Sequence, residues 1–226
     1  MKTKNRIKRI LSFVPKCKIL NDVGCDHGYL GVMCLKNNIC EQVVFSDISS
    51  RSLDKAKQLV ANNKLSSKSV FDTTYGVSSY NNTYDVVAVL GLGGDTIQSI
   101  ISENKGVVGY YLLQPMTHQV ELRRYLISNG YTIKIDEIIK VDSKYYDIML
   151  VQKGNQILTD AEITFGLTNI RQHNEVFKEY LYYKIELLKK SIANIEQNML
   201  QSNIEGTEHK QLLCELALMQ SLIKES

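Results

Sequence analysis

The sequence predicts an α/β protein, a mostly parallel, doubly wound sheet followed by an antiparallel helical hairpin. Three observations carry this. Apolar, strand-like runs alternate with helix-periodic segments from about residue 18 to 152. The first such run ends in a glycine-punctuated turn, Asp22-Val23-Gly24-Cys25-Asp26-His27-Gly28, and the second ends in Asp47, 23 residues beyond Gly24. After Gly154 the character changes: from about 169 to 200 there is little glycine and no proline, and the apolar residues fall into a heptad seam.

In chain order, residues 4–14 read as an amphipathic helix, with Ile7, Ile10, Leu11 and Val14 on one face, lysines and arginines on the other, and Pro15 closing it. A strand at 18–23 leads through the glycine turn into a helix at 28–37 whose inward residues are Leu30, Met33, Cys34 and Leu35. The second strand is 43–46. The next helix, 49–63, has Ser49 or Ser50 as its N-cap and buries Leu53, Ala56, Leu59 and Val60. A short strand near 68–71 and a loop at Tyr75-Gly76 follow. Residues 84–90 are continuously apolar apart from Asp85, as in a strand covered on both faces, and end in Gly91-Leu92-Gly93-Gly94. A helix from Asp95 carries Ile97, Ile100 and Ile101. A strand at 107–113 is stopped by Gln114-Pro115, and a helix at 117–128 is ended by Gly130. Strands at 131–141 and 145–152 form an antiparallel pair that completes the sheet.

In the C-terminal part Leu181, Ile185, Leu188, Ile192, Ile195 and Met199 follow a 4-3-4-3-4 spacing, and Leu212, Leu216, Met219 and Ile223 a 4-3-4 spacing, with Ser202-Asn203 and Gly206 between the two runs. Two matched seams and a short loop make a hairpin. The expected organisation is therefore a sheet domain at 1–154 and a helical, coiled-coil-like domain at 155–226.

Charge is distributed unevenly. Lys2, Lys4, Arg6, Lys8, Arg9, Lys16 and Lys18 give residues 1–18 a charge of +7 with no acid; the whole chain is +3, so the remainder carries −4. A basic end on a mildly acidic body points to an anionic macromolecule held at that end. Cys17, Cys25, Cys34, Cys40 and Cys214 are odd in number and lack Cys-x-x-Cys spacing, which argues against a disulfide framework and a structural zinc site and for a reducing cytosol. Residues 10–14 are too short for a signal-peptide core, and no apolar run reaches the length of a membrane span, so a cytoplasmic protein without metal or membrane attachment is expected.

The glycine spacing is G-x-x-x-G-x-x-G (Gly24, Gly28, Gly31), distinct from the dinucleotide fingerprint. Taken singly, a glycine turn is mostly a turn, and an acid at a strand end is mostly a helix cap. Together, at βαβ spacing, Asp22, Gly24 and Asp47 indicate a nucleoside cofactor: a carboxylate at the end of the second strand can accept both ribose hydroxyl protons.

The stretch Asp22-Val23-Gly24-Cys25-Asp26-His27-Gly28-Tyr29-Leu30 resembles the first motif of the bacterial TrmK family, the tRNA adenine-22 N1-methyltransferases, typically D-I-G-S-D-H-A-Y-L-P. Gly91-Leu92-Gly93-Gly94 is similar to the family's G-M-G-G, Leu113-Gln114-Pro115 to its L-Q-P, and Tyr146-Asp147-Ile148-Met149-Leu150 to its Y-E-V-L type strand; Asn174-Glu175-Val176-Phe177 and the hairpin also fit. The resemblance implies a Rossmann-like class I methyltransferase domain that uses S-adenosyl-L-methionine, releases S-adenosyl-L-homocysteine, and acts on tRNA; the short second helix of the hairpin favours pairing within one chain, hence a monomer. The implied cofactor residues are Asp22, Gly24, Asp26 and His27 at the methionine end, Asp47 with Ile48 at the ribose, and Gly91 and Gly93 at the reaction centre. The family's Gly-Asp-Gly stretch after the third strand, whose Asp meets the cofactor adenine, is replaced here by Thr73-Thr74-Tyr75-Gly76-Val77, so that Tyr75 stacks or hydrogen bonds instead.

Asp26, His27 and Tyr29 are the candidate catalytic residues: Asp26 or His27 as an acceptor near the adenine amine, Tyr29 as a stacking surface. Each has a plainer reading, Asp26 as a helix cap and His27 as a donor to a backbone carbonyl. Gln114 either meets a Watson–Crick edge or pins its loop, and Arg123 and Arg124 are expected to meet phosphate or solvent. The basic N-terminal segment is the leading tRNA contact, with Arg171, Lys178, Lys184, Lys189 and Lys190 adding to it; deleting residues 1–9 is expected to weaken tRNA binding and spare the cofactor. The alternatives are a methyltransferase for another RNA base and a non-catalytic RNA-binding protein on a degenerate cofactor fold.

Overall fold

Alternation within each strand decides which side of the sheet a residue covers. In the computed structural model, which describes residues 2–202 and 207–224 with side chains at 5–197 and 209–224, seven strands form one sheet. They are β1 (Cys17–Val23), β2 (Cys40–Asp47), β3 (Ser69–Thr73), β4 (Thr83–Leu92), β5 (Val107–Pro115), β6 (Tyr131–Val141) and β7 (Lys144–Lys153). Their order is β3-β2-β1-β4-β5-β7-β6, with β7 antiparallel between β5 and β6 and the pairs from β3 to β5 parallel.

Val43 and Phe45 of β2 and Val86 and Ala88 of β4 face one core, shared with helices α1 (Lys2–Ile10), α2 (Tyr29–Lys36) and α3 (Ser50–Asn62) through Ile7, Ile10, Leu30 and Leu53. Val44, Val87 and Val89 face the other, shared with α4 (Gly94–Glu103) and α5 (Gln119–Ser128) through Ile97, Ile100, Leu122 and Leu126. Full cover on both faces is why these strands read as continuous apolar runs.

The expected elements form, several with different ends. The first helix stops at Ile10 and continues as a 3-10 turn over Leu11–Phe13. The fifth strand runs through Gln114 and Pro115, because Leu90 and Leu92 of β4 pair with them across a bulge. Ser49, not Ser50, caps α3, accepting the Ser52 N–H on its hydroxyl at 3.3 Å.

The chain divides into compact units at Met1–Ile170 and Arg171–Ser226, so the boundary expected at 154 lies too early. The reason is two short helices, α6 (Asp160–Phe165) and α7 (Leu167–Gln172), that pack on the sheet. Leu158, Ile163 and Leu167 join the second core. The Thr168 hydroxyl and the Asn169 side-chain oxygen accept the β6 N–H groups of Asp136 (2.9 Å) and Ile138 (3.0 Å).

In the second unit α8 (Glu175–Ser202) and α9 (Thr207–Lys224) pack on one another. Leu181, Ile185, Leu188 and Ile192 of the expected seam are buried, Ile195 is half-buried, and Met219 and Leu222 are buried on α9. His209 Nε2 lies 3.1 Å from Glu196 Oε1. The Met199 side chain and the turn residues Asn203 and Gly206 lie outside the described residues. Among the described residues no helix is long and apolar enough to cross a membrane.

Candidate active site

The carboxyl ends of β1, β2 and β4 meet at one edge of the sheet, where parallel α/β folds place their ligands. The turn after β1 takes left-handed backbone at Gly24 (φ 64°), Asp26 (φ 47°) and Gly28 (φ 69°), conformations that glycine adopts without steric cost and aspartate tolerates. The Gly28 N–H closes the turn on the Cys25 carbonyl at 2.7 Å, and α2 starts at the next residue.

Three carboxylates surround this turn. Asp22, 5% exposed, accepts the Gly31 N–H at 3.2 Å. Burial pushes its carboxyl up to about 7; the Gly31 N–H opposes the rise and the charge of Asp47 adds to it. Asp47 accepts the Asp26 N–H on Oδ2 (3.1 Å) and the Ser49 N–H on Oδ1 (2.9 Å), tying the turn to the start of α3. Asp26 is exposed; its Oδ2 lies 2.6 Å from His27 Nδ1 and its Oδ1 3.7 Å from Lys55 Nζ. Gly28, not Asp26, is the cap residue of α2, and His27 meets a carboxylate rather than a backbone carbonyl, so neither plainer reading describes these side chains. The His27 and Tyr29 rings stack with centroids 5.4 Å apart and planes 4° from parallel.

Asp22, Gly24, Asp26, His27, Tyr29 and Gly91 line a single cleft of about 270 Å³. Of the other expected cofactor residues, Asp47 reaches the cleft through the Asp26 amide. Gly93 caps α4, and a Cβ there would come within 3.2 Å of Thr117 Oγ1. Ile48 (73% exposed) and Tyr75 (49%) stand open to solvent just beyond β2 and β3, outside the cleft. A larger cavity of about 780 Å³, lined by Lys16, Cys17, Cys40 and Asp85, lies where β1 and β2 begin, the opposite edge from the glycine turn. We take the smaller cleft as the site because the acids and glycines converge there.

One cleft residue escapes the sequence reading. Arg6, counted there among seven basic residues facing an anionic partner, turns inward from α1 and lines the cleft. Its guanidinium carbon sits 5.4 Å from the Tyr146 ring centroid, its Nη1 lies 3.7 Å from Met116 Sδ, and a Cβ at Gly91 would come within 3.2 Å of Nη2. Ile7 beside it is buried in the core and also lines the cleft. Removal of residues 1–9 therefore takes away two residues that line the cleft as well as the exposed basic face.

Gln114 is fully buried; its Nε2 donates to the Pro115 carbonyl at 3.0 Å, and its Oε1 has no hydrogen-bond partner among the described residues. Arg123, expected at phosphate or solvent, is 1% exposed and paired with Asp136 and Asp147, because α5 packs its inner face on β6 and β7. Arg124 is exposed, 3.8 Å from Asp160. At the start of α4 Asp95 Oδ2 lies 2.8 Å from His118 Nδ1. Among the described residues no group of three or more His, Cys, Asp or Glu is arranged to hold a metal ion.

The family model TrmK, tRNA (adenine(22)-N(1))-methyltransferase, matches residues 20–215. A Mycoplasma pneumoniae protein classed among the tRNA methyltransferases is 30% identical over 211 residues, 89% of this chain and 96% of its own. The Bacillus subtilis tRNA (adenine(22)-N(1))-methyltransferase is 23% identical, covering 100% of this chain and 97% of its own. The structure of M. capricolum TrmK in complex with S-adenosyl-homocysteine shares the fold, with a TM-score of 0.83 at 23% identity, over 97% of this chain and 96% of the other.

Proposed function

The chain belongs to the TrmK family of tRNA (adenine(22)-N(1))-methyltransferases, and from that premise we propose a role for each residue of its site. The enzyme transfers the methyl group of S-adenosylmethionine to N1 of adenine 22 in tRNA. The observation that carries the reading is the buried carboxylate of Asp22 at a left-handed glycine turn, raised to about 7 and accepting one N–H, that of Gly31, among the described residues. A cationic ligand group beside it supplies what the protein withholds, so the residues fit a ligand with an ammonium and a sulfonium.

In this assignment Asp22 and the backbone at Gly24 hold the methionine end of the cofactor. Each oxygen of Asp47 keeps a second lone pair after accepting its backbone N–H, enough for two ribose hydroxyls. Ile48 and Tyr75 offer exposed surface for the cofactor adenine. When bound, S-adenosylmethionine supplies an already electrophilic methyl group. N1 of neutral adenine carries its own lone pair, so the protein's main contribution is position.

The stacked His27–Tyr29 pair is a flat face for the target base, which must leave the RNA stack to reach it. Asp26, held by His27, accepts from the base amine as positive charge develops on the ring. The Gly91–Gly94 turn leaves room for a flat base. Exposed Lys8 and Arg9 of α1 and basic residues of α8 hold the RNA through phosphates. The α8 and α9 seams pack within one chain, which supports a monomer, and we place the enzyme in the cytoplasm, where tRNA is modified.

Methyl transfer from labelled S-adenosylmethionine to unmethylated tRNA, with the product mapped by primer-extension arrest, tests the reading. A stop at adenine 22 with 1-methyladenine recovered is the expected result. Methylation at another nucleotide would discard the substrate, and absence of both transfer and cofactor binding would discard the enzyme.

A further inference from the structure

Arg6 differs from its basic neighbours in direction and in what it lacks. Lys8 and Arg9 are exposed. Arg6 is drawn inward beside the buried Ile7, its guanidinium resting on the Tyr146 ring and against the backbone of Gly91. Its Nε is buried and has no hydrogen-bond partner, and no carboxylate pairs with it among the described residues. A desolvated guanidinium N–H without an acceptor is costly, and folding tolerates it where a ligand completes the pairing.

The charges of the cleft say which ligand group that is. Among the described residues lining it, Asp22 and Asp26 are acids and Arg6 is the one permanent cation. S-Adenosylmethionine carries two cations, the ammonium and the sulfonium, and one anion, the α-carboxylate. The acids suit the cations, and the anion is left for Arg6. A guanidinium fork matches a carboxylate through two parallel N–H···O bonds, a geometry an ammonium point charge does not reproduce.

We propose that Arg6 binds the α-carboxylate of the cofactor, so that the N-terminal helix closes the amino-acid end of the site. The proposal rests on the S-adenosylmethionine assignment above. An RNA phosphate is the rival anion; it is disfavoured because Arg6 lies against the cleft wall formed by Gly91, whereas the exposed face of the helix carries Lys8 and Arg9.

Calorimetric titration of the full chain with S-adenosylhomocysteine and with 5′-methylthioadenosine, which lacks the amino-acid end, separates the possibilities. Arg6→Gln is expected to weaken S-adenosylhomocysteine roughly 10- to 100-fold, the loss of a charge-assisted bidentate pair. It is expected to change 5′-methylthioadenosine by less than about twofold, with Arg6→Lys recovering only part of the loss. Unchanged S-adenosylhomocysteine binding with weakened tRNA binding would overturn the proposal in favour of a phosphate contact. Equal weakening of both nucleosides would overturn it in favour of a packing role. If the wild-type chain bound neither nucleoside, the cofactor assignment itself would fall, and the role of Arg6 with it.

Discussion

Two groups of buried charge sit in the same sheet and are built on opposite terms. Between α5, β6 and β7, Arg123 donates Nε to Asp136 Oδ2 (2.7 Å), Nη2 to Asp136 Oδ1 (2.9 Å) and Asp147 Oδ1 (2.5 Å), and Nη1 to the carbonyls of Ile163 and Thr164 (both 3.3 Å). Every N–H of the guanidinium has an acceptor. Burial alone would disfavour its charge, but the two carboxylates hold it protonated well above its ordinary range. At the carboxyl ends of β1 and β2, Asp22 is as deeply placed yet holds one backbone N–H, and Arg6 keeps a buried Nε without an acceptor. The first network is closed and fastens four elements together. The second is open, with its unmet donors and acceptors turned toward a cleft. Satisfied buried charge marks a structural joint here, and unsatisfied buried charge marks the place reserved for a ligand.

Breaking the closed network gives the largest expected effect. Arg123→Ala leaves two carboxylates facing each other without a cation, and urea unfolding is expected to show a loss of about 3–5 kcal/mol. A loss below about 1 kcal/mol would erase the contrast. The open network answers in the opposite sense. The Asp22 carboxyl is raised from 3.8 to about 7, so the folded state binds a proton more tightly than the unfolded chain between those values. The contribution of Asp22 to stability is then most favourable below pH 4, falls as pH rises toward 7 and levels off above that, a change of at most about 4 kcal/mol. Asp22→Asn removes this penalty and is expected to leave the unliganded protein equally or more stable at pH 8. The same variant is expected to lose S-adenosylhomocysteine affinity about 100-fold, as when a charge-assisted pair is removed.

A subtler test follows from the same titration. Binding of a cationic group requires ionised Asp22, so S-adenosylhomocysteine affinity is expected to fall by up to about tenfold per pH unit below pH 7. Titrations in buffers of different ionisation enthalpy should register the released proton, and the Asn variant should show neither effect. The smallest expected change is on the outer face of α1. Lys8→Glu with Arg9→Glu is expected to weaken tRNA binding several-fold and flatten its salt dependence by about one unit of slope per lost contact, with nucleoside affinity unchanged. A matching loss of nucleoside affinity would show that the two faces of this helix are not separable.

The open site was more legible in the sequence than the closed joint. Asp22, Gly24 and Gly28 sit within seven consecutive residues, and Asp47 stands at a spacing that a βαβ unit imposes, so local pattern alone brings them together. Arg123 meets acids 13 and 24 residues further on, and an Arg-Arg pair on a helix reads as solvent-facing until strand pairing is known. Arg6 was hidden for a related reason. Among seven basic residues spread over positions 1–18 nothing local says which one turns inward; that is settled by Ile7 and Ile10, which seat α1 against the sheet. The boundary between units was misplaced because α6 and α7 are too short for a periodic signal, while their attachment runs through Thr168 and Asn169 side chains reaching the β6 backbone.

The place of β7 in the sheet has a consequence for how the chain comes into being. Among the described residues β6 pairs with β7 alone, which lies between it and β5. A chain emerging from the ribosome as far as residue 143 has a finished helix–strand core from β1 to β5, but the outer edge of β5 is bare and β6 has nothing to join. Asp136 and Arg123 are by then outside the ribosome, and Asp147 is still within it. Sheet closure and the pairing of Arg123 with Asp147 therefore fall together, on the emergence of ten residues from Lys144 to Lys153, and the buried arginine joint is completed when the Ile163 and Thr164 carbonyls follow. Until they arrive, the nascent protein exposes an apolar strand edge of the kind that attracts other chains.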